Sequence, residues 1–127
     1  MDIEINSDAP EPVYEQIVRQ IQNGVTSGAL LPGTPIPPVR QLANDLAVNR
    51  NTVARAYKML EDQGIFQTAG RKGTFVRSGA ADEVARIKAG QAERTVRRMI
   101  ESLVLDGLSK GQISAIFQSA LAVAGKG

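Results

Sequence analysis

The chain has 127 residues, carries 15 lysines and arginines against 13 aspartates and glutamates, and contains no histidine or cysteine. This length suits one domain, or one small domain with an appendage. The two missing residue types exclude disulfides, thiolate nucleophiles, imidazole bases and Cys/His zinc sites. Since no pair of carboxylates stands out either, we expect no enzyme activity, no catalytic or metal site and no cofactor.

The sequence shows no sign of a membrane protein. Residues 1–20 lack the basic and then apolar pattern of a signal peptide. The longest uninterrupted apolar run, residues 120–124, is far shorter than the ~20 residues that span a bilayer. We therefore expect a cytoplasmic protein that makes no contact with a membrane.

Charge is distributed unevenly, although the formal net charge is only +2. Residues 1–39 hold one basic and five acidic residues, a balance of −4, and residues 40–77 hold seven basic and three acidic residues, a balance of +4. A basic middle segment predicts one positively charged face, and such faces commonly meet phosphate groups. The alternative is that solubility alone distributes the charges in this way.

The first predicted elements are an extended arm, a helix and a loop. Residues 1–11 are polar with two isoleucines and form the arm, and Pro12 then opens a helix that Gly28 caps. Apolar residues recur in this helix at spacings of three and four: Val13, Tyr14, Ile17, Val18, Ile21 and Val25. Residues 28–38 contain two glycines and four prolines and are predicted to be a loop.

Two short helices follow, joined by the three-residue break at residues 47–49. The first has an apolar face of Val39, Leu42, Ala43 and Leu46, and the second has one of Val53, Ala56, Tyr57 and Leu60. Asn49 is a suitable N-cap for the second of these helices, and Gly64 ends it. This pattern is typical of a helix-turn-helix.

The apolar period then changes from that of a helix to that of a strand. Residues 65–68 and 74–77 are short β-type runs, and the five residues between them carry glycine at both ends of a basic tip, as in a hairpin. The fold class predicted for residues 10–77 is therefore mainly α with a small β-hairpin, a winged helix-turn-helix.

Residues 80–125 are predicted to form a two-helix tail after a small polar hinge at residues 78–82. The first tail helix carries a heptad-like seam, and Ser109 with Gln112 makes a capping box for the second. Because two helices have little core of their own, we predict that the tail dimerises. The predicted interface consists of Val96, Met99, Leu103, Ile113, Ile116, Phe117 and Leu121. The alternative is that the tail packs on its own chain.

The outward side of the third helix carries residues suited to DNA. Arg50, Asn51 and Thr52 occupy its first turn, where helix-turn-helix proteins reach base edges, and Arg and Asn bond guanine and adenine bidentately. The preceding helix and the hairpin tip supply basic residues for the phosphate backbone or an adjacent groove, namely Arg40, Arg71 and Lys72. Arg55 is also predicted to contact DNA. Arg55 and Lys58 have the alternative of pairing with Glu61 or Asp62, or of staying free.

Several motifs occur in a fixed order: residues 12–17 (PVYEQI), 28–33 (GALLPG), 39–43 (VRQLA), 48–53 (VNRNTV), 60–64 (LEDQG) and 70–76 (GRKGTFV). This series resembles the winged-helix domain of GntR-type regulators, and the Tyr57-Lys58 pair with the short tail resembles the YtrA-like branch. The resemblance implies a homodimeric transcription regulator, often a repressor. It carries DNA contacts to Arg40, Arg50, Asn51, Thr52, Gly70 and Arg71. Pro38 stands where many relatives have serine, and Ala54 where many have a basic residue.

These observations predict a regulator that binds an inverted-repeat operator in double-stranded DNA as a homodimer. A small-molecule effector would have to bind between the tail helices or at the dimer interface. The alternative function is a winged-helix module that docks proteins without sequence-specific DNA binding. The glycine-rich tip of the hairpin is not a phosphate loop, because it lacks the spacing and the following helix.

Overall fold

A computed structural model describes residues 1–125, and it is mainly helical with one small sheet. The elements are α1 (Val13–Ser27), β1 (Pro35–Ile36), α2 (Val39–Leu46), α3 (Arg50–Asp62), β2 (Phe66–Thr68), a short 3₁₀ helix (Gly70–Lys72), β3 (Thr74–Val76), α4 (Ala80–Leu105) and α5 (Lys110–Ala124). This order confirms the predicted fold class.

The chain forms two compact units, which we call the winged-helix unit (Met1–Ile87) and the tail unit (from Lys88). In the winged-helix unit the predicted apolar faces of α1, α2 and α3 meet the hairpin in a single core. The side chains most completely buried there are Ile17, Ile21, Val53, Leu60, Ile65, Phe66, Val76 and Val84. Burial of these large apolar side chains holds the three helices and the hairpin together.

The sheet has three antiparallel strands in the order β1-β3-β2. Phe66 pairs with Val76 and Thr68 with Thr74, as the predicted hairpin requires. The prediction of a loop throughout residues 28–38 was wrong at β1, where Pro35 pairs with Phe75 and Ile36 is buried. An edge strand tolerates proline because the missing N–H can face away from the sheet, so the proline-rich composition concealed this strand.

The amino-terminal arm lies along α1, held by two glutamines one helical turn apart. The Gln20 side chain accepts from the Glu4 N–H (2.9 Å) and donates to the Glu4 carbonyl (2.7 Å). Gln16 repeats this arrangement with the backbone of Asn6 (2.9 Å for both bonds). A four-residue step on a helix and a two-residue step on an extended chain are each about 6–7 Å, which explains the matching register.

Helix α4 begins earlier than predicted. The predicted hinge at residues 78–82 was wrong from residue 80 onward, because Ala80 starts α4 and is buried in the core of the winged-helix unit together with Val84. The division between the two units falls after Ile87, so it lies within α4 and not at its start.

The tail unit contains the rest of α4 and α5. The Ser109 N–H donates to the Gln112 side chain (2.8 Å), and the Gln112 N–H donates to the Ser109 hydroxyl (3.2 Å), which confirms the predicted capping box. Within the described part of the chain, no helix is both long and apolar enough to cross a membrane.

Candidate nucleic-acid interface

The turn between α2 and α3 fixes the position at which α3 begins. Ala47 ends α2 in the left-handed conformation (φ 54°), and the Val48 N–H then donates to the Ala43 carbonyl over 3.0 Å. Asn49 caps α3, since its side-chain oxygen accepts from the Asn51 N–H over 2.7 Å, which confirms the predicted cap. The first turn of α3 has no acidic residue, so the positive end of the helix favours an anion there.

Arg40 and Arg50 line the same open surface groove, formed by α2 and the start of α3. Both side chains are exposed, and neither forms an ion pair within residues 1–125. Gln41 and Asn44 line this groove as well. They were not predicted from the sequence, although the outward positions of α2 follow from its apolar spacing just as those of α3 do. The groove therefore offers two free cations and two amides to a ligand.

Asn51 and Thr52 complete the first turn of α3 beside Arg50. Asn51 is exposed, whereas Thr52 is half-buried and its N–H donates to the Asn49 carbonyl over 3.1 Å. Asn51 and Arg50 are thus both exposed to solvent in the first turn of α3. This places one amide and one guanidinium, the groups predicted to contact bases, at the start of the same helix.

The structure decides between the alternatives predicted for Arg55 and Lys58 on α3. Lys58 forms an exposed ion pair with Asp62 at 3.6 Å. Arg55 pairs with neither Glu61 nor Asp62, because its guanidinium lies over the ring of Tyr14 on α1, 3.8 Å from the ring centroid. The apolar spacing of α1 predicts only that Tyr14 belongs to the apolar face of this helix. It does not reveal that Arg55 stacks on the ring.

Tyr57 connects α3 to the segment that leads into α2. Its hydroxyl donates to the Pro37 carbonyl over 2.7 Å, and its ring meets that of Phe66 edge-to-face with centroids 5.4 Å apart. Burial raises the pKa of Tyr57, so the hydroxyl stays protonated and keeps donating. Pro37 lies three residues before Arg40. The bond therefore ties α3, which carries Arg50, to the segment that leads to Arg40 on α2.

The hairpin, or wing, carries the remaining predicted DNA contacts at its tip. Gly70 (φ 52°) and Gly73 (φ 88°) adopt left-handed backbone that L-residues rarely adopt, and this bends the chain around the tip. Arg71 and Lys72 are exposed there and form no ion pair within the described residues. The tip therefore presents two cations on a short, sharply bent segment.

The stem of the wing is attached to the end of α3 by a polar network. The Thr68 hydroxyl donates to the Glu61 carboxylate and lies 3.2 Å from the Thr74 hydroxyl on the paired strand. Glu61 is the penultimate residue of the helix that carries Arg50. The network thus connects the wing to the helix that carries the predicted base contacts.

The tail unit exposes most of the side chains predicted to form the dimer interface. Val96, Met99, Ile116 and Leu121 are exposed, and Leu103 and Phe117 are half-buried. Ile113 is different, because it is buried within the single chain at 5% exposure. Three further large apolar side chains are exposed in this unit: Val104, Leu105 and Val123.

Comparison with known proteins relates this chain to a known family. The profile described as "Bacterial regulatory proteins, gntR family" matches residues 13–76, which span α1 to the end of the wing. The HTH-type transcriptional repressor YtrA of Bacillus subtilis is 34% identical over 77% of this chain and 75% of its own length. The HTH-type transcriptional regulator Rv1152 of Mycobacterium tuberculosis is 47% identical over 58% of this chain, and the chain spans only 61% of its length.

Solved structures agree with the sequence comparison. A transcriptional regulator from Oenococcus oeni superposes with a TM-score of 0.73 and 32% identity, covering 92% of this chain and 97% of its own. The DNA-binding domain of AraR, solved in complex with operator ORX1, superposes with a TM-score of 0.53 and 28% identity over 60% of this chain and 98% of its own.

Proposed function

Because the chain belongs to the GntR family of bacterial regulatory proteins, we propose that it represses transcription by binding an inverted-repeat operator as a homodimer. Like its named relatives, it is a DNA-binding transcriptional regulator and not an enzyme. This agrees with the expectation from the sequence. The repressor activity, the symmetry of the operator and the assembly of two chains are the proposal.

The observation that carries the DNA-binding part of the proposal is the groove shared by Arg40 and Arg50. Two unpaired arginines there adjoin the positive end of α3, so a phosphate or a base edge meets concentrated positive charge. We assign base contacts to Arg50 and Asn51, and phosphate contacts to Arg40 and the wing-tip cations. Thr52 is assigned to a phosphate or a thymine methyl group.

The observation that supports homodimerisation is the apolar surface of the tail unit. One face of α5 forms a shallow apolar depression lined by Ala115, Ile116, Ser119, Ala120, Val123 and Ala124. Monomeric proteins rarely leave large contiguous apolar patches in water, so we propose that a second copy covers this face. Ile113 is left out of the proposed interface because the single chain already buries it.

Two-fold symmetry of such a dimer leads to the proposed form of the operator. Two copies of α3 would enter successive major grooves, so the half-sites would be inverted and about one helical turn apart. We place the protein in the cytoplasm, where a bacterial regulator meets DNA, and we place any small-molecule effector at the tail helices or the dimer interface.

Selection of DNA by the 127-residue chain tests the proposal. Duplexes with a random central segment are incubated with the protein, and the bound fraction is recovered, amplified and sequenced over several rounds. The proposal predicts enrichment of an inverted repeat that binds ~10³-fold or more tightly than a scrambled duplex. If no sequence is enriched, the protein-docking alternative is favoured instead.

A further inference from the structure

The contact between Arg55 and Tyr14 places a cation from α3 on an aromatic ring from α1. The guanidinium carbon lies 3.8 Å from the ring centroid, a separation that suits flat stacking. Tyr14 is half-buried and packs against the core of the winged-helix unit, whereas Arg55 is exposed. A fixed ring thus supports a side chain that is otherwise free to move in water.

No carboxylate competes for this guanidinium by an ion pair within residues 1–125. The two acidic residues at the end of α3 are engaged elsewhere: Glu61 with the Thr68 hydroxyl and Asp62 with Lys58. On the other side of the contact, Glu15 accepts from the Tyr14 hydroxyl over 3.1 Å. The positive charge of Arg55 is therefore held in place without being neutralised by a salt bridge.

The position of Arg55 on α3 indicates what this charge faces. Successive helical residues turn by about 100°, so Arg50 and Arg55 are about 140° apart around the helix axis. Arg50 is on the α2 side, in the groove it shares with Arg40, and Arg55 is on the α1 side. The outward positions of Asn51, Ala54 and Lys58 lie between these two edges. The N-terminal turn of a recognition helix reaches the base edges, which suits Arg50 and Asn51. Arg55 lies more than one turn further along the helix, on its α1 flank, where a phosphate backbone borders the groove.

We propose that Tyr14 is a positioning residue that holds the Arg55 guanidinium ready to bind a phosphate on the α1 side of the recognition helix. Stacking uses the flat face of the guanidinium and leaves its in-plane N–H groups free to donate to phosphate oxygens. A side chain that is already ordered loses less conformational freedom when it binds. The inference rests on the proposed function, and it gives Arg55 sequence-independent affinity instead of base reading.

A double-mutant cycle in the full chain tests this inference. Wild type, Tyr14→Leu, Arg55→Ala and the double variant are titrated at several salt concentrations against two duplexes, the selected sequence and its scrambled form. Arg55→Ala is expected to lower the salt dependence by about one phosphate contact on both duplexes. Tyr14→Leu is expected to weaken both complexes by about twofold to fivefold when Arg55 is present, and to change nothing when it is absent.

Two controls separate positioning from packing. Tyr14→Phe keeps the ring but loses the bond to Glu15, and it is expected to bind DNA as wild type does. Lys58→Ala removes a different cation of the same helix, so Tyr14→Leu should still weaken binding in that background. Equal losses from Tyr14→Leu with and without Arg55 would overturn the inference, since they would reflect packing of the ring alone. Thermal unfolding of each variant verifies that it is folded.

The same titrations separate this inference from the proposed function. Arg50→Ala should weaken binding to the selected duplex more than binding to the scrambled one, and equal effects on the two would count against sequence-specific recognition. The cycle on the scrambled duplex still decides the role of Tyr14 in that case, because phosphate contacts do not depend on sequence. A loss from Tyr14→Leu that is confined to the selected duplex would overturn the inference, since Arg55 would then be reading a base.

Discussion

Tyr57 shows how one side chain can serve both the core and the DNA-binding surface. Its ring is buried against Phe66, while its hydroxyl donates to the Pro37 carbonyl at the entrance to α2. Proline has no N–H, so a carbonyl acceptor is the only backbone hydrogen-bonding group that residue 37 offers. The tyrosine thereby couples the packing of α3 to the position of Arg40.

Replacing Tyr57 with phenylalanine should lower the free energy of unfolding by about 1–2 kcal/mol near pH 8, because it leaves the Pro37 carbonyl without its donor. Burial raises the pKa of Tyr57 in the folded state, so its stabilising effect is complete below about pH 10 and is lost as the pH rises further. Urea unfolding at pH 8 and pH 11 should therefore show the difference between wild type and Tyr57→Phe shrinking. A difference that grows with pH would contradict this account.

Arg50 and Lys72 are assigned different tasks, and alanine variants should separate them. Arg50→Ala should cost about 1–3 kcal/mol on the selected duplex and relax the preference at one base pair. Lys72→Ala should weaken binding to every duplex and reduce the salt dependence by about one phosphate contact. Fluorescence anisotropy titrations on selected and scrambled duplexes at three salt concentrations measure both effects. Equal and small losses from the two variants would contradict the assigned roles.

At the scale of the elements, the Glu61 carboxylate attaches the wing to α3 through the Thr68 hydroxyl. Removing this carboxylate abolishes the acceptor that α3 offers to Thr68, so the wing should become free to swing relative to the helix. Asp62→Ala is the matched control, because it removes the same charge from the adjacent position, where the carboxylate pairs with Lys58 and not with the wing. Loss of a negative charge near DNA favours binding in both variants.

We therefore expect Glu61→Ala to bind the selected duplex more weakly than Asp62→Ala by about threefold or more, which corresponds to roughly 0.7 kcal/mol, the net value of a typical hydrogen bond. Parallel titrations of the two variants on one duplex provide the comparison. Identical affinities would mean that the Thr68 contact does not restrain the wing.

The helices and the hairpin were predictable from the sequence because each is encoded locally. Apolar spacing marked the faces of α1, α2 and α3, and Asn49 and Ser109 marked helix starts that the structure confirms. The strand β1 was not predictable in this way, since two residues give no period and its pairing with β3 is a long-range contact. The start of α4 was missed because Ser78 and Gly79 suggested a hinge, whereas burial of Ala80 depends on the folded core.

The candidate site was predictable to the extent that it consists of exposed residues on one element. The groove joining Arg40 to Arg50 brings together two helices, and the ring under Arg55 comes from a third. The spacing of residues within α3 reveals neither Arg40 as the neighbour of Arg50 nor Tyr14 as the neighbour of Arg55. Tyr14 follows the apolar pattern of α1 like any core residue, so its contact with a cation required the packing of α1 against α3.

For the whole molecule, the boundary within α4 determines which fragment can fold alone. Ala80 and Val84 are buried in the winged-helix unit, so a chain ended after Ile87 keeps its core closed. A chain ended after Gly79 loses both side chains and should be less stable by about 2–4 kcal/mol, the usual cost of deleting buried apolar groups. Urea unfolding of the two fragments makes the comparison, and equal stabilities would show that these residues contribute little.

The central claim is that two copies, joined through the tail, occupy one operator. Ile116 belongs to the apolar face of α5, whereas Gln118 is about 160° away around the same helix. Lysine at position 116 would bring an unpaired charge into this apolar face, and lysine at position 118 adds the same charge on the opposite side of the helix. Ile116→Lys and Gln118→Lys therefore form a matched pair.

Analytical ultracentrifugation of wild type and these two variants, each mixed with the selected duplex and with its half-site, tests this claim most directly. The account predicts two chains on the full duplex for wild type and Gln118→Lys, and much weaker binding of single chains for Ile116→Lys. One chain per duplex for wild type, held equally tightly by full site and half-site, would contradict it.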